Sequence, residues 1–338
     1  MTATMAASRA IRRRGSRDLR LYPCPAGYIG PVASPQTGIF ALGTASHAYL
    51  ELDLLPHAEP AEAVARVGAL REPRTTIGGV NLVAGFRPEL WANVAPDAAP
   101  AGVTGFNEAL TGPDGFTLPA TQHDVVIWLT GATYDVVFDL SRAILVELAG
   151  HASLAHEMVG WPYHHDLDLT GFIDGTENPT LVEATAVALV PAGAPGESAS
   201  ILLLQQWEHD APRWESLPVE AQEAAIGRRK LDNVELDPQP ATSHVARTDQ
   251  DDFGKIFRRN IAYGSVDQHG TIFVGFCATQ APLAAMLDSM IGRRGDQRDE
   301  LTRFTRARSG AYYVVPSADR LAAFGREERL EQPPPSPP

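Results

Sequence analysis

Between residues 38 and 159 the apolar residues of this chain change their period in a fixed order. Residues 38–55 alternate as a strand, and residues 57–70 carry Ala, Val and Leu at helical spacing. Residues 75–86 read as a strand broken by Gly78-Gly79, and residues 124–129 as a buried strand. Tyr134–Leu148 sets Val137, Leu140, Ile144, Leu145 and Leu148 on one helical face, and residues 151–159 close the set as a strand. The order β-α-β-β-α-β is that of a ferredoxin-like unit. The second half repeats it more loosely. Strands are expected at 199–207, 271–277 and Ala311–Val315, and helices at 217–229 and 282–291. There is no detailed sequence repeat, so the duplication is one of pattern. The expected fold is α+β: two antiparallel-sheet halves, 35–165 and 166–320, with helices outside. A flexible arm (1–34) and a Pro-rich tail (321–338) flank them.

At 338 residues the chain has room for two domains of ordinary size. Acidic residues outnumber basic ones 41 to 28, for a formal charge of −13. That argues against a non-specific nucleic-acid binder, which needs a basic face. Of the 28 basic residues only Lys230 and Lys255 are lysine, a skew that reads mainly as coding bias. Cys24 and Cys277 are too few for a disulfide framework, a CxxC metal site or an iron–sulfur cluster, and they suit a reducing compartment. No run reaches the roughly 18 apolar residues of a membrane span. Arg12-Arg13-Arg14 is followed by polar residues, not by the apolar stretch of an export signal, so the expected location is the cytoplasm.

Three segments stand out chemically. In Gly171-Phe172-Ile173-Asp174-Gly175-Thr176-Glu177-Asn178-Pro179, glycines flank one acid and let the backbone approach a ligand. Ser243-His244-Val245 offers a histidine in a mixed loop, and Arg258-Arg259-Asn260 precedes Ala262-Tyr263-Gly264. Taken singly, each has an ordinary reading: a surface turn, a surface histidine and a solvated Arg-Arg step. His164, His165, Asp166 and Asp168 imitate a non-haem iron site, but adjacent histidines in a strand point to opposite faces.

In this order and with this content, the three segments resemble the dye-decolorizing peroxidase family. Supporting matches are residues 205–210, 226–230, 299–304 and 312–317, so the resemblance runs from about Gln36 to Ser317. It looks like the compact bacterial intracellular branch. Ala262 departs from the family's usual Pro, and the N-terminal arm is longer than typical.

The resemblance implies one haem b in the C-terminal half, with His244 as the iron ligand. A carboxylate on the other ring nitrogen would fix the tautomer; Asp299 is the first choice and Asp288 the alternative. Asp174 would move the proton of hydrogen peroxide, Arg258 would stabilise charge as the O–O bond breaks, and Asn260 would hold peroxide or water. Gly175, Thr176 and Glu177 would contact the cofactor. Arg228 would either meet a haem propionate or end a helix in solvent. Small aromatic donors and a homo-oligomer are also implied. Trp91, Trp128, Trp161, Trp207, Trp214, Tyr163, Tyr263, Tyr312 and Tyr313 are candidates for electron relay, though such residues are more often core. The alternative function is haem carriage or iron release, which would need His244 but not the acid–base set.

Overall fold

A computed structural model describes residues 33–71, 79–295 and 297–331. The arm at 1–34, with Cys24 and the arginine run, lies outside them except for its last two residues. The first half runs β1 (Ser46–Leu54), α1 (Pro60–Ala69), β2 (Asn81–Phe86), α2 (Pro88–Val94), a small hairpin β3 (Leu110–Thr111) and β4 (Thr117–Leu118), β5 (Val125–Gly131), α3 (Tyr134–Leu148) and β6 (Ala152–Trp161). A long connection carrying α4 (Leu181–Ala188) leads to the second half. That half runs β7 (Ser200–His209), α5 (Ala211–Glu215), α6 (Val219–Ile226), α7 (His244–Arg247), α8 (Gln250–Phe253) and β8 (Phe257–Arg258). It continues through β9 (Ile261–Gly264), β10 (His269–Cys277), α9 (Ala281–Met290), β11 (Thr305–Ala307), β12 (Ala311–Val315) and α10 (Ala318–Glu331).

The protein is a sheet-rich α+β fold. Strands of the first half lie in the order β6-β1-β5-β2, and those of the second in the order β9-β10-β7-β12. The two sets meet where β6 pairs with β9 and where β2 pairs with β12, which closes eight antiparallel strands into a ring. Side chains alternate across each strand. Along β1, Ala48, Leu50 and Leu52 pack beneath Val64 and Val67 of α1 and Val137, Ile144 and Leu148 of α3. Tyr49 instead joins Trp128, Leu202, Leu204, Val274, Phe276 and Tyr313 in a second cluster inside the ring.

Two expectations change. Residues 318–331 form α10, where the sequence was read as a tail from Leu321 onward. The reason is apolar: Leu321 is buried, and the Phe324 ring packs edge-on against Trp91, 5.8 Å between centroids. His244 sits on a one-turn helix and not in a loop, because the Ser243 hydroxyl caps it by accepting from Ala246 N.

Candidate active site

On the second half, the layer of α7, α8 and α9 stands off the sheet and leaves a cavity. It holds about 1590 Å³ of atom-free space, its open mouth included. Leu203, Phe273, Leu283, Met286, Leu287 and Met290 give it apolar walls; Asp168, Asp174, Arg258 and Asn260 gather on a polar one. A smaller outer cavity of about 680 Å³, counted the same way, shares Asp168, Asp174, Gly175, Arg258, Asn260 and Thr271 with the first.

His244 lines the main cavity and is 26% exposed, whereas its partner Asp299 is 0% exposed. His244 Nδ1 lies 2.6 Å from Asp299 Oδ2. Asp299 caps the turn Glu300–Arg303 by accepting from Leu301 N through Oδ1, so its second oxygen is held toward the imidazole. Burial pulls the His244 pKa down, but the charge and hydrogen bond of Asp299 outweigh it, and the net shift is upward. His244 Nε2 has no partner among the described residues. Asp288, the alternative, pairs instead with Arg293 at 3.4 Å.

The acidic loop is locked to the arginine segment by a residue that the sequence reading left without a role. Asn178 Nδ2 donates to Arg258 O, and Asn178 Oδ1 accepts from Arg258 N, at 2.9 and 2.8 Å. Gly175, at φ +78°, has the amide of Asn178 against it and donates its N–H to Asp174 Oδ1. Asp174 lines the cavity, and its Oδ2 has no hydrogen-bond partner among the described residues. Among the described residues Arg258 Nε is buried without a partner, and Asn260 accepts from Val274 N through its carbonyl oxygen while its amide nitrogen has no partner.

Arg228 is buried, which removes the solvated-helix-end reading. Its Nη2 meets Glu177 at 2.5 Å and Glu235 at 2.6 Å, and Nη1 donates to Asn233 O. Two carboxylates thus meet one nitrogen of the fork and a backbone carbonyl the other, on a side chain that lines the cavity. Thr176 is held by Asn233 Nδ2. His164 and His165 lie in a left-handed turn, and among the described residues no three His, Cys, Asp or Glu side chains form a metal-holding group. The non-haem alternative has no site there.

Comparison with known proteins decides the family. Residues 165–320 match the model of the Dyp-type peroxidase C-terminal domain. The dye-decolorizing peroxidase of Brevibacterium linens is 34% identical over 252 residues, 72% of this chain and 68% of that protein. That of Mycolicibacterium paratuberculosis is 31% identical over 324 residues, 92% and 90% of the two chains. The chain belongs to the dye-decolorizing peroxidase family. It is a peroxidase. Among solved dye-decolorizing peroxidases, DyPB of Rhodococcus jostii RHA1 superposes with a TM-score of 0.75 at 31% identity, covering 86% of this chain and 98% of that one. A variant of that protein in complex with heme gives 0.73, again at 31% identity, over 83% and 96%.

Haem is the cofactor of the family, and the residues present fit it. Many apolar side chains line the cavity, and among the described residues an imidazole nitrogen and a buried guanidinium nitrogen of its lining have no partner.

One further dye-decolorizing peroxidase residue belongs to the polar wall. The sequence points to Asp168 only as a metal ligand, and its Asp-x-Thr spacing is the local signal for a turn. Thr170 N and Thr170 Oγ1 both donate to Asp168 Oδ1. Burial, reinforced by the Asp174 charge, pushes its carboxyl from 3.8 up to about 6, against the pull of the Thr170 bonds and His244. The folded chain holds this proton in a window where the unfolded chain has released it. The stability it contributes is full below about 3.8 and is lost as pH rises through about 6. In the haem-free protein, the Tm of the wild type should fall relative to Asp168→Asn across that window. Parallel Tm curves would show that Asp168 titrates normally.

Proposed function

We propose that the chain reduces hydrogen peroxide and oxidises small aromatic donors in one-electron steps, at the cavity between His244 and the Asp174–Arg258–Asn260 wall. One observation carries this reading: two distant motifs are clasped by Asn178, so that an acid, a cation and an amide share one cavity with a carboxylate-backed histidine.

When bound, haem would supply a redox-active iron and a ring able to give up and regain electrons. His244 Nε2 is the nitrogen that would hold the iron; Nδ1–H donated to Asp299 keeps the lone pair on Nε2 and raises its basicity. Asp174 Oδ2 takes the proton from one peroxide oxygen and returns it to the other. Arg258 stabilises the negative charge gathering on the departing oxygen, and it cannot lose its own charge doing so. The Asn260 amide donates to peroxide or to water. Arg228 holds Glu177, and with it the loop bearing Gly175 and Thr176, at the cavity mouth. Of the two functional readings, simple haem carriage gives no use to this acid–base set.

We also read the two strand sets as two ferredoxin-like units, 35–165 and 166–320, with the cofactor in the second. The equivalent strand orders of the two sets support this reading. The deciding measurement is the absorption spectrum of the haem-reconstituted protein before and after one equivalent of peroxide. A Soret band that shifts with peroxide and returns on adding an aromatic donor is expected. A Soret band that peroxide leaves unchanged would falsify the peroxidase assignment for this site.

A further inference from the structure

The interior of the strand ring, on the side of the sheet away from the cavity, holds three oxidisable side chains in different electrostatic settings. Tyr49 and Trp128 stack, 5.6 Å between centroids and 6° between planes. The Tyr49 hydroxyl is buried with no hydrogen-bond partner. Trp128 lies under a cation: the Arg259 guanidinium sits 5.2 Å from its ring centroid and is held there by Ile39 O and Ala41 O. The Trp128 N–H reaches His47 Nδ1 only at 3.4 Å, and burial, aided by Arg259, pulls His47 down to about 4. An electron taken from Tyr49 would leave a positive charge with no hydrogen-bonded base to relieve it, and Trp128 has only the long contact to His47, a weak base beside the Arg259 cation.

Tyr313 differs. It is 0% exposed and donates its hydroxyl to Glu51 Oε1 at 2.6 Å. Glu51 is itself 1% exposed, and its other oxygen lies 3.0 Å from His156 Nδ1. The His156 side chain is 34% exposed, so phenol, carboxylate and imidazole make a path from the core to water. A buried carboxylate is costly to keep. A glutamine could accept the same phenol hydrogen bond, but it could not take the proton.

We propose that Tyr313 is an internal electron donor of this peroxidase, oxidised to a neutral phenoxyl radical while its proton passes to Glu51 and out through His156. The proposal rests on the peroxidase reading above. Reduction of peroxide to water requires two electrons and two protons. Tyr313 supplies one electron to the oxidised cofactor site, and its O–H bond breaks with the proton going to the Glu51 carboxylate. Burial and the Glu51 charge push the phenol pKa far up, so the hydroxyl is protonated beforehand and the two particles must leave together. The route to the cavity is short in the sheet: Tyr313 pairs with Leu202, and the next residue, Leu203, lines the cavity wall.

The test is rapid-freeze-quench electron paramagnetic resonance of the haem-loaded protein after peroxide without added donor, with ring-deuterated tyrosine to assign the radical. A tyrosyl signal is expected in the wild type. It should be lost in Tyr313→Phe, be strongly reduced in Glu51→Gln and persist in Tyr312→Phe, with the Soret response to peroxide kept in all three. A signal that survives Tyr313→Phe overturns the proposal. So does the absence of any tyrosyl signal from wild type whose Soret band responds to peroxide, whether or not the variants fold. A Soret band that does not respond sinks the peroxidase reading and this one together.

Discussion

His244→Ala should emerge from purification without a Soret band and fail to acquire a stable one on haem reconstitution. Removing a partner of a metal-bound histidine already costs roughly 10–100-fold in affinity. Removing the ligand itself should cost more, and no other group replaces it. Among the described residues the one other histidine lining the main cavity, His209, is bonded to Thr271 Oγ1, and burial holds it neutral, down to about 4. The fold should survive, because the His244 side chain faces the cavity and not the core. Far-ultraviolet circular dichroism would show this. The loss also strands Asp299, a buried carboxylate whose one charged partner is gone, so the variant should melt earlier than the wild-type apoprotein. A full Soret band on His244→Ala would transfer the ligand role elsewhere.

Arg258→Leu should keep its haem and react with peroxide about 10²–10³-fold more slowly, the usual cost of deleting one preorganised donor to developing charge. The substitution can be interpreted because of how the backbone is held. Asn178 grips Arg258 through its main-chain N–H and carbonyl, and neither depends on the side chain. Leucine therefore removes the cation without releasing the loop that carries Asp174. Stopped-flow mixing with peroxide, followed in the Soret region, measures the step directly. An unchanged rate would mean that Arg258 belongs to the cavity wall and not to its chemistry.

Much of the fold was legible because it follows periodicity. Tyr134–Leu148 is helical over the residues expected, and Ala311–Val315 is the strand expected. The strand β9 was harder to read. Ile261–Gly264 has only four residues beside polar neighbours, and its partner β6 lies about a hundred positions earlier. The helix α10 was masked by the proline run beyond it; what holds it is contact with Trp91, which no local pattern announces. At the site, the residue types in the three segments were readable, but their joining was not. Asn178 was within the quoted motif and drew no role, because its partner is the backbone of a residue 80 positions away. Arg228, for which the sequence offered a solvated helix end as one reading, is buried and pairs with Glu177 and Glu235. The pairing with Glu177, 51 positions away, leaves no local trace.

The ring of strands has a consequence for how the two halves depend on each other. Separated, the first half would end in the unpaired strands β2 and β6, and the second in β12 and β9. Unpaired edges of this kind recruit foreign strands and seed aggregation. In the intact chain the four edges satisfy one another, β6 against β9 and β2 against β12. Each half is thus the other's chaperone, an internal counterpart of a dimer whose subunits were never free to part. The connection between them, residues 162–199, is the tether that keeps the partners at high effective concentration, and it also carries Asp174.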